Sequence, residues 1–393
     1  METLNLSPQD PDFIQNPYPA YDAARARGPV LFWQDYGMAA AFDAATVKAL
    51  LRDRRLGREK PAELQTPYPA HLSDWALTET HSLLDMEPPR HTRLRGLVLR
   101  AFTSRRIAGL APDIMAVCAD LLRGKPDGPF DLIPAYCTQV PVRIIARLLG
   151  VPEEISDDLL RWSRDMVAMY QAGRDRSVED RANTAAAEFT AFLRSYIDKR
   201  RNDPRDDLIT QLIAAEEEGE KLTPDELIGT CILLLNAGHE ATVHSLGNGV
   251  KCLLEHGTPH SALAPAQITA TVEEVLRFDA PLHMFTRFAY EDIALGPHTL
   301  EKGAEIALIL GAANRDGALF DTPHHFDPGR PVKPNATFGA GLHFCVGAPL
   351  ARLELQIALP ALFDAFPTMQ LAEPPRYADS YHFHKLDRLM ITP

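Results

Sequence analysis

Apolar positions recur with a helical period through the middle of the chain and with shorter, strand-like runs towards both ends. From about Ser104 to Leu276, Ala- and Leu-rich segments with a three-to-four-residue repeat predict helices, broken at turn signals such as Asn202-Asp203-Pro204. Before them, Pro29 to Trp33 and Met38 to Phe42 flank Asp35-Tyr36-Gly37 and predict a hairpin, followed by a helix from about Ala44. After Pro281 the pattern predicts a strand at Glu305 to Leu310, a Pro/Gly-rich meander from Asp321 to Gly341, a helix from near Val346 and a small sheet from Tyr377. No repeat, low-complexity tract or Gly/Ser linker interrupts residues 1 to 393, so one domain is expected.

One helix is marked more strongly than the others. Thr223-Pro224-Asp225-Glu226 offers an N-cap, a proline at the first helical position and a capping-box acid, while Gly257 offers a stop. At 1.5 Å per residue this helix is about 50 Å long. Its middle, Cys231 to Ala237, is almost wholly apolar and then breaks into Gly238-His239-Glu240-Ala241-Thr242. Charged groups inside a buried helix are costly unless satisfied, so this break is a candidate functional position.

Composition narrows the class. Apolar residues at 46% and charged residues at 24% are ordinary for a globular protein, and no run approaches the length of apolar sequence that a membrane span needs. Met1 to Asp10 carries neither a basic leader nor an apolar segment, so a cytoplasmic setting is the expectation. A net charge of −13 disfavours nucleic acid and anionic membranes as partners. Cys118, Cys137, Cys231, Cys252 and Cys345 are scattered and form no C-x-x-C pair, which argues against a disulfide framework or a structural zinc site.

Cys345 lies in Phe338-Gly339-Ala340-Gly341-Leu342-His343-Phe344-Cys345-Val346-Gly347, a glycine-rich loop just before a helix. Backbone N–H groups and the helix dipole there are expected to lower the thiol pKa and keep the sulfur anionic. The segment resembles the F-x-x-G-x-x-x-C-x-G signature of the cytochrome P450 family at Phe338, Gly341, Cys345 and Gly347. Glu274-Val275-Leu276-Arg277 resembles that family's E-x-x-R helix motif, with Arg330 placed to complete a Glu-Arg-Arg triad that supports the ligand loop. The resemblance runs from about Asp10 to the C-terminus.

That resemblance implies a mainly α fold with a small β-rich region, the cytochrome P450 fold, and haem b lying between the long helix and the Cys345 loop. Cys345 is then the iron ligand. His91, Arg95, Arg287 and His343 match the residues that reach the haem propionates, whose buried carboxylates need charge-assisted partners. Ala237, Gly238, Phe338, Gly339 and Gly347 match positions lining the macrocycle. The segment Gly257 to Pro265 is short beside typical members, so the connecting helix there is expected to be eroded.

The implied reaction is insertion of one oxygen atom from O2 into a largely apolar organic molecule. Glu240 matches the acid of the family's proton relay, and Thr242 is the nearest hydroxyl. The family's usual threonine position holds Ala241, and a one-residue step turns a side chain by about 100° around a helix, so Thr242 does not simply replace it. An ordered water or a substrate hydroxyl is the expected substitute. Electrons are expected from a ferredoxin or flavodoxin with its own NAD(P)H-dependent reductase, docking on basic residues such as Arg93, Arg100, Arg105 and Arg106, and the chain is expected to act as a monomer. The pocket is expected between Pro67 and Leu84, Val167 and Gln171, Leu234 and Ala241, Leu282 and Phe285, and Ser380 and Phe383, with His283, His382 and His384 as a polar handle. The alternatives are a peroxide-driven peroxygenase and a non-catalytic haem or ligand sensor.

Overall fold

A helix as long as the sequence predicts at Thr223 has to be buried on several sides, and its packing organises the chain. In the computed structural model, which describes every residue except Lys125, 171–173, 218–219 and His382, it runs Pro224–Glu255. The Thr223 hydroxyl accepts from the Glu226 N–H at 3.2 Å and the Glu226 carboxylate accepts from the Thr223 N–H at 2.9 Å, closing the capping box. Its 32 residues span about 48 Å. Helices Gln139–Leu149, Ser156–Val167, Arg176–Asn202, Ile268–Phe278 and Ala348–Ala365 pack against it. The chain reverses at Gly257, whose φ of 56° suits glycine. The connection to the next helix is a single 3-10 turn, His260–Leu263, in line with the eroded segment expected there.

The β-rich region gathers the two ends of the chain. A six-stranded sheet has the order Thr3–Leu4, Val30–Trp33, Met38–Ala41, Glu305–Ile309, Met284–Ala289 and Leu56–Gly57. The expected hairpin is present, pairing Val30 with Ala41 and Trp33 with Met38. The Glu305–Ile309 strand lies parallel to one hairpin arm and antiparallel to Met284–Ala289, where Ile306 faces Arg287 across the ladder. Leu310, expected to close that strand, instead opens a short helix, Leu310–Asn314. Near the C-terminus, Arg376–Tyr377 pairs with Leu386–Arg388, and Met390–Thr392 joins Gln370–Leu371 to Phe130–Asp131. The final helix begins at Ala348, with Gly347 as its N-cap. Among the described residues no helix is long and apolar enough to cross a membrane.

Helix Ile268–Phe278 and the meander after Asn314 are joined by a buried charge cluster. Arg277 donates to both Glu274 carboxylate oxygens, at 2.7 and 2.8 Å, and Arg330 Nε approaches the same carboxylate at 3.2 Å. Both guanidiniums also hold backbone: Arg277 reaches the carbonyls of Asn314 and Pro323 at 2.9 Å each, and Arg330 reaches that of His325 at 2.9 Å. The Asp327 N–H donates to Glu274 at 2.8 Å. Asn314 then carries the connection forward, accepting from the Ala336 N–H and donating to Thr337, whose hydroxyl donates to the Leu276 carbonyl. The triad expected from the sequence is thus assembled, with every partner satisfied.

Removing one member leaves a buried charge uncompensated, which costs about 3 to 5 kcal/mol, a large share of a domain's stability. Arg277→Ala is therefore expected to give little folded protein and a sharply lowered denaturation midpoint. Normal yield and midpoint in that variant would contradict the role assigned to the cluster.

Candidate active site

Two glycines shape the loop that presents Cys345. Gly339 and Gly341 have φ of 68° and 70°. A Cβ on Gly341 would lie 2.5 Å from the Leu51 carbonyl oxygen, so only glycine lets the loop pass that close to the backbone. The Cys345 N–H donates to the Phe338 carbonyl at 3.1 Å, and Gly341–His343 forms a 3-10 turn just before the cysteine. Cys345 is the one exposed cysteine; the other four are buried. The expected low thiol pKa is not what the protein alone provides. Desolvation raises the Cys345 pKa and outweighs the backbone N–H groups of Gly347 and Ala348 and the charges of Arg95 and Arg352.

Around the loop lie cationic and donor groups with few anionic partners. His91 is fully buried, and neither ring nitrogen has a hydrogen-bond partner. Burial, reinforced by neighbouring His343 and Arg95, lowers its pKa to about 4. Its ring lies 4.4 Å from that of His343, which is 2.8 Å from a Glu87 carboxylate oxygen. Arg95 donates to the Phe344 carbonyl at 2.6 Å. Arg287 is buried and donates to the Thr286 carbonyl; burial first, then nearby Arg58, lowers its pKa to about 10. No ion pair to Arg287 is found among the described residues. A buried orphaned imidazole and an unpaired buried guanidinium fit a ligand bearing carboxylates, as haem does. Phe338 lies beneath the Arg352 guanidinium at 4.6 Å, and a Cβ on Gly347 would lie 3.8 Å from the Cys345 sulfur.

On the long helix, Ala237, Glu240 and Ala241 line a cavity of about 450 Å³. A Cβ on Gly238 would meet nothing closer than Ile145 at 3.8 Å. Burial pushes the Glu240 carboxyl up, but the hydrogen bond from His244 and the charges of His239, His244 and Lys385 prevail and bring it to about 2. The His244 Nε2 to Glu240 Oε2 distance is 3.0 Å. Thr242 is buried, is not among the cavity's lining, and donates its hydroxyl to the Gly238 carbonyl at 2.9 Å. That hydroxyl, expected as the nearest one to the relay, gives its proton to the helix backbone.

The cavity draws on most of the expected segments, including Thr78, Val167, Leu282, Phe285 and Phe383. Gln171 and His382 lie outside the described residues. His283 and His384 do not line it: His283 bonds Tyr21 at 2.8 Å, and His384 bonds Asp279 at 2.9 Å in a buried cluster with Lys251 and Tyr377. The charged and polar groups on its wall instead include Arg58, Glu79, Asp85, Asn236 and Glu305. Arg58 and Asp85 come from loops with no local signature, so nothing in the sequence pointed to them. His244 was findable, since i,i+4 spacing from Glu240 puts the two on one helix face. Arg93 and Arg106, expected on a docking surface, pair with Glu226 and Asp206.

A family model for cytochrome P450 matches residues 267–380. The vitamin D(3) 25-hydroxylase of Pseudonocardia autotrophica is 40% identical over 92% of this chain and 89% of its own length. The biotin biosynthesis cytochrome P450 of Bacillus subtilis is 34% identical over 99% of both chains. Among solved structures, P450BioI in complex with hexadec-9Z-enoic acid ligated acyl carrier protein is 34% identical, with a TM-score of 0.91 and coverage of 98% of this chain and 100% of that one.

The Glu240–His244 pair sets a pH dependence. A depressed carboxyl contributes stability that is present above its unfolded-state pKa and is lost as pH falls towards about 2. His244→Ala leaves burial less opposed, so Glu240 should titrate at a distinctly higher pH and the acid limb of the stability curve should move up with it. Infrared titration of the carboxyl band, with Glu240→Gln to identify it, checks this; an unmoved titration would show that His244 does not hold the carboxylate.

Proposed function

The chain belongs to the cytochrome P450 family of monooxygenases, oxidoreductases of class EC 1.14, and we propose that it inserts one oxygen atom from O2 into a largely apolar organic molecule, as a cytoplasmic monomer of one domain. The observation that carries the reading is the Cys345 loop together with buried His91, whose ring nitrogens have no hydrogen-bond partner, and buried Arg287, which forms no ion pair among the described residues. Haem b is the cofactor those groups fit, with Cys345 as its metal ligand, and when bound it supplies oxygen activation and the redox chemistry. His91, Arg95, Arg287 and His343 hold its carboxylates, while Ala237, Gly238, Phe338, Gly339 and Gly347 leave room for its faces.

Glu240 lines the cavity as a carboxylate and is the group that passes protons from solvent, with His244 holding its Oε2. Ala241 brings no hydroxyl, and Thr242 spends its own on Gly238. An ordered water or a hydroxyl on the substrate therefore completes the relay. The acid at the cavity wall favours O2 over peroxide as the oxidant. A relative named for vitamin D(3) and a structure holding a hexadecenoic acid ligated to acyl carrier protein are in keeping with an apolar substrate body. Electrons come from a separate ferredoxin or flavodoxin served by an NAD(P)H-dependent reductase. Leu99, Leu342 and Phe344 are exposed on and beside the ligand loop, with Arg100 and Arg105 nearby in the chain, and offer that partner an apolar and basic face.

The assignment is tested by the spectrum of reduced protein under CO. A red-shifted Soret band is expected, absent in Cys345→Ser and retained in Cys118→Ser, Cys137→Ser and Cys252→Ser; a band typical of histidine-ligated haem would sink it. Screening ligands for the low- to high-spin change identifies the substrate.

Coupling of NAD(P)H use to product tests the relay. Glu240→Gln should slow turnover about a hundredfold, the scale of a general acid. Ala241→Thr should raise coupling for poorly fitting substrates and help little for a well-fitting one, which organises the water itself. Unchanged coupling with every substrate, together with a silent Glu240→Gln, would refute the relay.

A further inference from the structure

The cavity beside the long helix is not apolar on every wall. Glu79, on helix Ser73–Thr80, lines it, and both of its carboxylate oxygens accept from the Tyr170 hydroxyl at 3.1 Å. The single basic side chain among the lining residues, Arg58, is committed to Asp85, which it meets through Nε at 2.9 Å and Nη2 at 2.8 Å. Glu240 is matched by His244. Glu79 therefore faces the cavity with a hydroxyl and no cation among its hydrogen-bond partners.

A second polar group, on the long helix, lines the same cavity. Asn236, one turn before Glu240, is only 9% exposed. Its Oδ1 has no hydrogen-bond partner, and its Nδ2 reaches only the Met166 sulfur, at 3.7 Å. Buried acceptors are nearly always satisfied, so an acceptor left bare on a cavity wall is matched by what the cavity binds.

We propose that Glu79, with Tyr170 and Asn236, forms a recognition site for a protonated amine carried by an otherwise apolar substrate. The proposal rests on the reading of this cavity as the substrate pocket. The amine donates to the Glu79 carboxylate and to Asn236 Oδ1, and the apolar body lies against residues such as Leu282, Met284, Phe285 and Phe383. A charged hydrogen bond in a buried site is stronger than a neutral one and fixes which carbon is presented for oxidation. Glu79 is thus a specificity-determining residue that takes no part in the chemistry.

The charge balance gives the site a signature. Burial, then the Asp85 charge, raises the Glu79 pKa to about 8, against the Tyr170 hydrogen bond and the Arg58 charge. Glu79 in turn acts on Tyr68, whose pKa burial and then the Glu79 charge raise. At neutral pH Glu79 is mostly protonated, so binding an ammonium releases its proton. Affinity for an amine therefore rises as pH climbs to about 8 and falls again where the amine itself deprotonates, at about 10.

Spectral and calorimetric titration of the holoenzyme tests this with three probes of equal reach: N,N-dimethyldodecylamine, 1-methoxydodecane and 1-dodecanol. Glu79→Gln should weaken the amine about tenfold or more while leaving the ether nearly unchanged, as expected for loss of one buried charge pair. In the wild type, which needs no variant to fold, amine affinity should rise from about pH 6 to about pH 8 while ether affinity stays flat. Equal losses for amine and ether, or no loss, overturn the proposal. A loss for dodecanol as large as that for the amine overturns it in favour of a neutral donor site, and a red-shifted Soret band, reporting nitrogen on the iron, counts against it too. If none of the probes binds the wild-type holoenzyme, the substrate-pocket reading fails and the proposal with it.

Discussion

A carboxylate and two guanidiniums withdrawn from water have to be satisfied completely, because the charge left over when one partner is missing is far more costly than the cluster is stabilising. Glu274, Arg277 and Arg330 meet that condition through each other and through the carbonyls of Asn314, Pro323 and His325. The carbonyls matter as much as the ion pairs. They come from an irregular stretch with no ladder of its own, and the cluster stands in for the secondary structure that stretch lacks. Its position decides where the chain is when it reaches Thr337, and therefore where Cys345 is held. A ligand loop built on irregular backbone is as rigid as what it is fastened to.

Within the site, desolvation acts on groups of opposite sign. Desolvation raises the Cys345 thiol and lowers His91 and Arg287, so in each case burial works against the charged form. A cofactor bringing a metal to the sulfur and carboxylates to the His91 imidazole and the Arg287 guanidinium would offset this for all three. Glu240 is the contrast. It lies in the same region, but the hydrogen bond from His244 holds its carboxyl down at about 2. On the proposed reading, the groups that would hold the cofactor are incomplete without it, and the group that would move protons is ready beforehand.

The cavity wall shows what substitution at Ala241 does to such a site. With no hydroxyl there and with Thr242 bonded to Gly238, the helix offers the substrate one carboxylate and an open space. On the proposed relay, proton delivery would depend on what fills that space, which would link the chemistry to the fit of the bound molecule. Glu79 and Asn236, on other parts of the wall, are the groups able to orient that molecule.

Local features of this chain were legible because their causes are local. The capping box at Thr223 and Glu226, the hairpin across Asp35-Tyr36-Gly37 and the glycines around Cys345 follow from backbone geometry that a few neighbouring residues decide. Glu274, Arg277, Arg330 and Cys345 were readable through a family resemblance, and the buried triad agrees with it. Properties that depend on long-range packing were not readable. Whether the Cys345 sulfur is ionised depends on desolvation by distant segments, which reversed the expectation from the loop and helix alone. The choice between His283 or His384 and Arg58, Glu79 or Asp85 as the polar wall was decided by which loops fold over the long helix. Arg93 looked like a surface cation until the fold brought it to Glu226. The sequence by itself determined which chemistry the chain carries and on which elements it sits. Only the tertiary structure decided which charges are paired and which face the cavity, because pairing and burial are properties of residues far apart in the chain.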